Sequence, residues 1–200
     1  MPTTLVNTNP AAGSPPSDNM RHGQNYSFYL RKQRMTDPPL MYANLIASAT
    51  SGIIIWDPYI HDADMQIFSN LNHGVEITLL TLGSSQSWPQ KISNIVTRIK
   101  QSIPDEFKEN TSLSALYINK DIHGRDQDDS WLFHDRFLII DDSDFYIIGS
   151  SVGYHITATQ STGIMEISSD LDKTIIWDAY IETYNQAVSD GCQYNLQNLL

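Results

Sequence analysis

The sequence is poor in three features that mark common protein classes. Its single cysteine, Cys192, cannot form a disulfide within the chain, so we expect a reducing, cytoplasmic compartment. No apolar run approaches the ~20 residues of a membrane-spanning helix, and the first residues lack the basic and apolar segments of a secretory signal. Basic residues are few, with 12 Lys and Arg against 23 Asp and Glu and a net charge of −11. This balance argues against broad, non-specific DNA binding, although a phosphate pocket needs only a few local cations.

The composition predicts one globular domain that follows a polar tail. Apolar residues make up 40% of the 200-residue chain, which is enough for the core of a single domain. Residues 1–24 are rich in Pro, Ser, Thr, Asn and Gly and predict a disordered tail. Residues 25–37 carry aromatic and basic groups and are expected to form a short lead-in element. The folded domain is therefore placed at residues 38–200.

Apolar patterning predicts strands that alternate with helices. Ile53–Ile55, VEITLLTL and SLSALYIN have the apolar content of strands buried inside a sheet. FLIID and FYIIG predict a hairpin, and GIMEIS predicts a further strand. Helical periodicity covers residues 40–49, 61–74, 87–103 and about 172–189. The pattern predicts an α/β fold, a mixed β-sheet flanked by helices on both faces, with ligands at loops off the strand ends.

The stretch FHDRFLIIDD places His134 and Arg136 at the head of an apolar run. Alternate residues of a strand share a face, so these two side chains are expected to point the same way. Asp141 has the opposite parity and is expected to fix the hairpin or the strand end. Arginine offers phosphate a planar fork of donors, and histidine can act as a nucleophile or proton donor near neutral pH. A polar strand end at the surface would use the same residues, so this stretch alone leaves both interpretations open.

Glu166 stands inside the apolar strand GIMEIS. A carboxylate in such a strand is costly unless it has a partner, and a nucleophilic histidine needs an acceptor that orients its ring. His134 is therefore the expected partner of Glu166, and the alternative is a strand-edge carboxylate that faces water.

The spacing H-x-R-x4-D of His134, Arg136 and Asp141, followed by Gly149 and Ser150, resembles the signature of the phospholipase D superfamily. That signature is H-x-K-x4-D, then G-S and an N-x-E segment, and the similarity extends over residues 38 to about 190. The resemblance implies a phosphodiesterase that needs neither a metal nor another cofactor.

The resemblance also implies a role for each matching residue. His134 would attack phosphorus and form a phosphohistidine, while Arg136 holds the phosphate and Glu166 orients the histidine. Ser150, with Ser151 beside it, would contact the substrate phosphate, and Gly149 would have a structural role. Because superfamily sites combine two signatures and this chain has one, a homodimer is implied. Compact bacterial nucleases of the superfamily make nucleic acid the expected substrate, and a phospholipid or membrane is the weaker expectation.

The sequence departs from the superfamily pattern at three positions. Arg136 replaces the lysine, and Val152 and Ile164 stand where the pattern has asparagines. Superfamily domains with a His-Asp-Arg motif include some that bind membranes or partners without known catalysis. The alternative function is therefore a catalytically silent module that binds a phosphate-bearing lipid, a nucleic acid or a protein partner.

Three further features receive simpler interpretations. The stretch His123–Arg125 mimics the start of the signature, but no apolar strand follows it, which favours a solvated loop. Asp57, in WDPY, is expected to form a turn with Pro58, although it ends a strand near the candidate site. Trp131 and Phe133 are expected in the core rather than on a base-stacking surface.

Overall fold

The computed structural model describes residues 20–22, 26–29, 40–123, 133–149, 162–197 and 199. The strands are β1 (Met20–His22), β2 (Tyr26–Tyr29), β3 (Gly52–Trp56), β4 (Glu76–Gly83), β5 (Ser112–Asn119), β6 (Phe137–Ile140), β7 (Asp144–Ile148), β8 (Thr162–Ile167) and β9 (Gln193–Leu196). The α-helices are α1 (Leu40–Ser48), α2 (Trp88–Ser102), α3 (Lys120–His123) and α4 (Asp170–Ser189). Two 3₁₀-helices span Asp62–Asn70 and Asp105–Asn110.

The described strands form one mixed sheet in the order β1-β2-β8-β7-β6-β3-β4-β5-β9. The central strands β3, β4 and β5 are parallel to one another, and the other pairings in this sheet are antiparallel. Because β3 and β6 are antiparallel, with Trp56 opposite Phe137, the end of β3 lies beside the start of β6. That junction positions the candidate site.

Each face of the sheet packs into its own core because the central strands are apolar on both sides. Ile53 and Ile55 face the larger cluster, which includes Tyr42 of α1, Phe68 and Ile95 of α2. The opposite face is covered by α4 and includes the following residues: Ile54, Trp56, Leu80, Ile139 and Tyr180. The α/β fold with helices on both faces of a mixed sheet is therefore confirmed. In the part of the chain that the structure describes, no helix is long and apolar enough to cross a membrane.

The structure differs from the predicted elements in three respects. Residues 61–74 were expected as an α-helix, but Asp62–Asn70 is a 3₁₀-helix, consistent with polar side chains that compete for backbone hydrogen bonds. The strand Met20–His22 lies inside the segment expected to be a disordered tail, and it pairs with Tyr26–Tyr29 of the lead-in. Neither short strand carries a long apolar run, and Gln193–Leu196 escaped prediction for the same reason.

Candidate functional site

The candidate site lies where β3 ends and β6 begins. Asp57 directly follows β3, and its backbone N–H donates to Leu80 O of the neighbouring β4 at 2.9 Å. On the other side, Ile148 N donates to Arg136 O at 3.0 Å, which extends the ladder between β6 and β7 by one residue. Residues 133–136 precede β6, which starts at Phe137 as the FLIID pattern predicted, so His134 and Arg136 lie before the strand whose parity was used to align them. The hydrogen bond from Ile148 N nevertheless fixes the backbone of Arg136 beside the end of β7.

Arg136 contacts two residues of the turn that follows β3. Its Nε lies 3.5 Å from Asp57 Oδ1, with 24% of the arginine side chain and 1% of the aspartate side chain exposed. Its Cζ lies 5.3 Å from the centre of the Tyr59 ring, a cation–π distance. Asp57 Oδ1 also accepts a hydrogen bond from Tyr59 N at 2.8 Å. The expected turn role of Asp57 is thus present, and an ion pair with Arg136 is added to it.

Further charged groups lie behind the Asp57–Arg136 pair. Burial raises the pKa of Asp64 to about 7, and Asp57 adds to that effect, although a hydrogen bond from His61 N opposes it. Burial lowers the pKa of Lys91, and Asp57 opposes that change because its charge favours the ammonium form. Asp57 therefore interacts electrostatically with groups on several elements.

A second cation approaches Tyr59 from α3. Lys120 Nζ lies 5.9 Å from the centre of the Tyr59 ring, which is 43% exposed. The site therefore combines an accessible aromatic ring with two basic side chains, even though the whole chain is acidic.

His134 is exposed and lies two residues before Arg136, at the surface beside the start of β6. An exposed imidazole at this position is accessible to a ligand.

The register of the sheet places Glu166 two strands away from β6. Glu166 lies opposite Tyr146, and Tyr146 lies opposite Leu138, which comes four residues after His134. Two strand spacings separate the Cα atoms of Glu166 and Leu138 by roughly 10 Å, and His134 lies before the start of β6. Burial raises the pKa of Tyr146 to about 12, and the nearby Glu166 charge contributes. Glu166 is thus an exposed neighbour of Tyr146, and its pairing with His134 stays a prediction.

Asp141 lies at the opposite end of β6 from Arg136. Its carboxylate accepts hydrogen bonds from the backbone N–H groups of Thr50, Ser51 and Gly52 at 2.8 to 3.0 Å, and from the hydroxyls of Thr50 and Ser51. Burial opposes ionisation, but these hydrogen bonds outweigh it and hold the pKa of Asp141 well below its usual 3.8. Asp141 therefore joins the β6–β7 hairpin to the start of β3.

The remaining candidate residues fall into three groups. Gly149 N donates to Gly163 O at 2.8 Å and extends the pairing of β7 with β8. Ser150 and Ser151 lie outside the described residues, as does Trp131. Phe133 packs edge-on against Trp56 at 5.5 Å, as part of the α4-side core.

His123 is not in a solvated loop. Its side chain is about 10% exposed, and Nε2 lies 2.6 Å from Asp190 Oδ2 at the end of α4. His123 therefore contributes a contact between α3 and the end of α4, while Gly124 and Arg125 lie outside the described residues. Within the described ranges, no group of three or more His, Cys, Asp and Glu side chains is arranged to hold a metal ion.

No family model matches the chain, and no curated protein matches its sequence. Among solved structures, NucT from Helicobacter pylori has a TM-score of 0.52 at 12% identity, over 80% of this chain and 96% of NucT. The chain shares the fold of NucT. Nuc from Salmonella typhimurium, a phospholipase D family member, has a TM-score of 0.45 at 11% identity, over 80% of this chain and 90% of Nuc. TrmBL2, an archaeal chromatin protein, has a TM-score of 0.43 at 13% identity over 82% of this chain, which spans about half (54%) of TrmBL2.

Within this NucT-like fold, sequence reasoning missed the contact between Asp57 and Arg136. The signal was the position of Asp57, directly after a continuously buried strand, where ligand-binding side chains gather in α/β sheets. What the sequence did not supply was the antiparallel pairing of β3 with β6, which brings Arg136 to Asp57.

Proposed function

We propose that the chain is a metal-independent phosphodiesterase of the phospholipase D type, with His134 as nucleophile and Arg136 as the phosphate-holding residue. The observation that carries the proposal is the exposed His134 beside Arg136, whose guanidinium is ion-paired to Asp57 and packed on Tyr59. An arginine held in this way is pre-organised to receive a phosphate oxygen at the edge where His134 is accessible.

The proposed reaction has two steps. In the first, a ring nitrogen of His134 attacks phosphorus, the bond to the leaving oxygen breaks, and the leaving oxygen takes a proton from a second histidine. In the second, water attacks the phosphohistidine and gives a proton to that second histidine. The nitrogen–phosphorus bond breaks, and the products are a phosphate monoester and the free enzyme. Both steps move only protons and a phosphoryl group, so they need no redox partner.

The second histidine is proposed to be His134 of another copy of the chain. The sequence has one H-x-R-x4-D signature, and the two-step chemistry needs a nucleophile and a general acid on opposite sides of phosphorus. A homodimer that juxtaposes two candidate sites would supply both.

Single-stranded nucleic acid is the substrate we propose, ahead of phospholipid. Tyr59 is 43% exposed, and Arg136 and Lys120 lie within 6 Å of its ring centre. Proteins that hold single strands combine an aromatic ring for base stacking with cations for the phosphates. The net charge of −11 limits such binding to this local surface and predicts a short contact that weakens with salt.

Cleavage of a fluorescent single-stranded oligonucleotide and of bis(4-nitrophenyl) phosphate in excess EDTA tests the proposal. Wild-type protein is expected to turn over at least one of them, and His134→Ala is expected to lose about 10³-fold or more in kcat/KM. Acid-quenched wild-type protein should carry phosphate on His134 by mass spectrometry. Full activity in His134→Ala contradicts the proposed mechanism.

A second candidate function is a silent module that binds phosphodiesters without cleaving them. It is favoured by the sheet register, which puts Glu166, the orienting carboxylate that the resemblance implied, two strands away from β6. Oligonucleotide binding that depends on Arg136, together with no cleavage and a monomer by sedimentation, would support this function over the first.

A further inference from the structure

We propose that Asp57 is a positioning residue that fixes Arg136 so that the outer nitrogens of its guanidinium face a bound phosphate. This inference rests on the proposed function, because it takes Arg136 as the phosphate-holding residue. It applies to both candidate functions, since each requires a phosphate at Arg136.

The first support is the way in which Arg136 is buried. Its Nε is shielded from solvent and lies 3.5 Å from Asp57 Oδ1, yet 24% of the side chain is exposed. The exposed part therefore lies elsewhere on the side chain. A guanidinium has two edges that can bind an oxyanion. Because Nε is shielded from solvent, a phosphate that arrives from solvent can meet only the edge formed by the two Nη nitrogens.

The second support is the environment of Asp57 itself. The Asp57 side chain is 1% exposed. Its role in the turn needs only one carboxylate oxygen at the surface, which accepts the hydrogen bond from Tyr59 N. Burying a carboxylate is costly unless charged partners compensate it. A carboxylate that served only the turn could stay at the surface and avoid this desolvation cost. An ion pair with Arg136 gives the buried charge a role, because it restricts a long side chain that would otherwise sample many rotamers.

The third support is the position of Tyr59, which follows Asp57 by two residues. The hydrogen bond from Tyr59 N to Asp57 places the Tyr59 ring against the guanidinium, with Cζ 5.3 Å from the ring centre. One carboxylate thus contacts the Nε position directly and holds the chain segment that carries the ring. Asp57 fixes Arg136 in both ways.

The test is a double-mutant cycle on the affinity for a fluorescent single-stranded oligonucleotide, measured in EDTA with the full chain. Asp57→Asn keeps an acceptor for Tyr59 N but removes the charge that pairs with Arg136. We expect this variant to bind about tenfold more weakly than wild type, within the range of coupling between contacting residues. In the Arg136→Gln background, the same change is expected to alter the dissociation constant by less than about twofold.

Asp64→Asn is the matched control. Asp64 is also a buried carboxylate, 4% exposed, and it accepts a backbone hydrogen bond from His61 as Asp57 does from Tyr59. Its pKa of about 7 means that it is only partly charged near neutral pH. We expect this variant to bind within about twofold of wild type in either background.

The outcomes separate the inference from the function on which it rests. Equal weakening by Asp57→Asn with and without Arg136, or no weakening at all, overturns the positioning role alone. Equal binding by wild type and Arg136→Gln rejects the phosphate site, and the positioning role is rejected with it. If Asp57→Asn does not fold, the NMR order parameter of Arg136 Nε–H in the wild-type protein decides. A value as high as that of rigid backbone amides supports the positioning role, and a value as low as that of an exposed arginine side chain overturns it.

Discussion

The two ends of the β6 region hold an aspartate in contrasting ways. At the hairpin end, the carboxylate of Asp141 is surrounded by backbone N–H groups and hydroxyls of residues 50–52. At the other end, buried Asp57 accepts a hydrogen bond from Tyr59 N and lies 3.5 Å from Arg136 Nε. Backbone donors are fixed by the fold, whereas a guanidinium beside a carboxylate still has other N–H groups that can donate to a ligand. The first arrangement suits a structural joint, and the second suits a site that receives a ligand.

The contrast separates the residues of a single sequence motif. His134, Arg136 and Asp141 stand together in FHDRFLIIDD, yet the structure places Asp141 in a hydrogen-bond network at the far end of the strand. Asp57, 79 positions before Arg136, lies closer to it than Asp141 does along the strand. A motif defined by spacing therefore combines residues from opposite ends of one strand, with different partners at each end.

Removing the Asp141 carboxylate is expected to give the largest change in stability. Asp141→Ala leaves the N–H groups of Thr50, Ser51 and Gly52 without their acceptor, and we expect the free energy of unfolding to fall by about 3 kcal/mol. Urea denaturation measures the change. Asp142→Ala is the matched control, because Asp142 has a φ of 56° and Asp141 a φ of 51°. Alanine is strained by about 1 kcal/mol at either position, because both have a positive φ. Equal losses of unfolding free energy in the two variants would therefore assign the effect to strain rather than to hydrogen bonds.

Acid sensitivity is expected to depend on the same carboxylate. The pKa of Asp141 is lowered in the folded protein, so the unfolded chain takes up a proton first as the pH falls. The resulting stability is complete above the ordinary value of 3.8 and is lost as the pH falls from there towards the lowered folded pKa. Urea midpoints measured from about pH 5 to about pH 2 should therefore fall less steeply for Asp141→Asn than for wild type.

Asp105→Asn is the control for the loss of stability between about pH 5 and about pH 2. The hydrogen bond from Lys108 lowers the pKa of Asp105 as well, but Asp105 is fully exposed, and solvent screens such a pair. Its variant should follow the wild-type curve. If the urea midpoints of Asp141→Asn fall with pH as steeply as those of wild type, other carboxylates dominate acid unfolding.

The sequence was sufficient for the fold because the fold follows from local patterns. Continuous apolar runs such as Ile53–Ile55 require burial on both faces, and their alternation with amphipathic helices leaves few architectures. It was insufficient for the site because register between strands is not a local property. Parity within one strand could separate Asp141 from Arg136, but it could not show that Glu166 is level with Leu138. The contact of Asp57 with Arg136 depends on the same non-local pairing.

The smallest expected effect concerns the ring that covers Arg136. Tyr59→Ala removes the ring that we propose stacks on a base, and at about 1 kcal/mol for one stacked base oligonucleotide binding should weaken by about fivefold. Tyr59→Phe keeps the ring and is expected to bind like wild type. Stability should change little in both variants, because the side chain is 43% exposed. If both variants bind more weakly, the Tyr59 hydroxyl makes the contact. If Tyr59→Ala binds as tightly as wild type, the ring makes no ligand contact and only the Asp57–Arg136 pair separates this strand end from the Asp141 end.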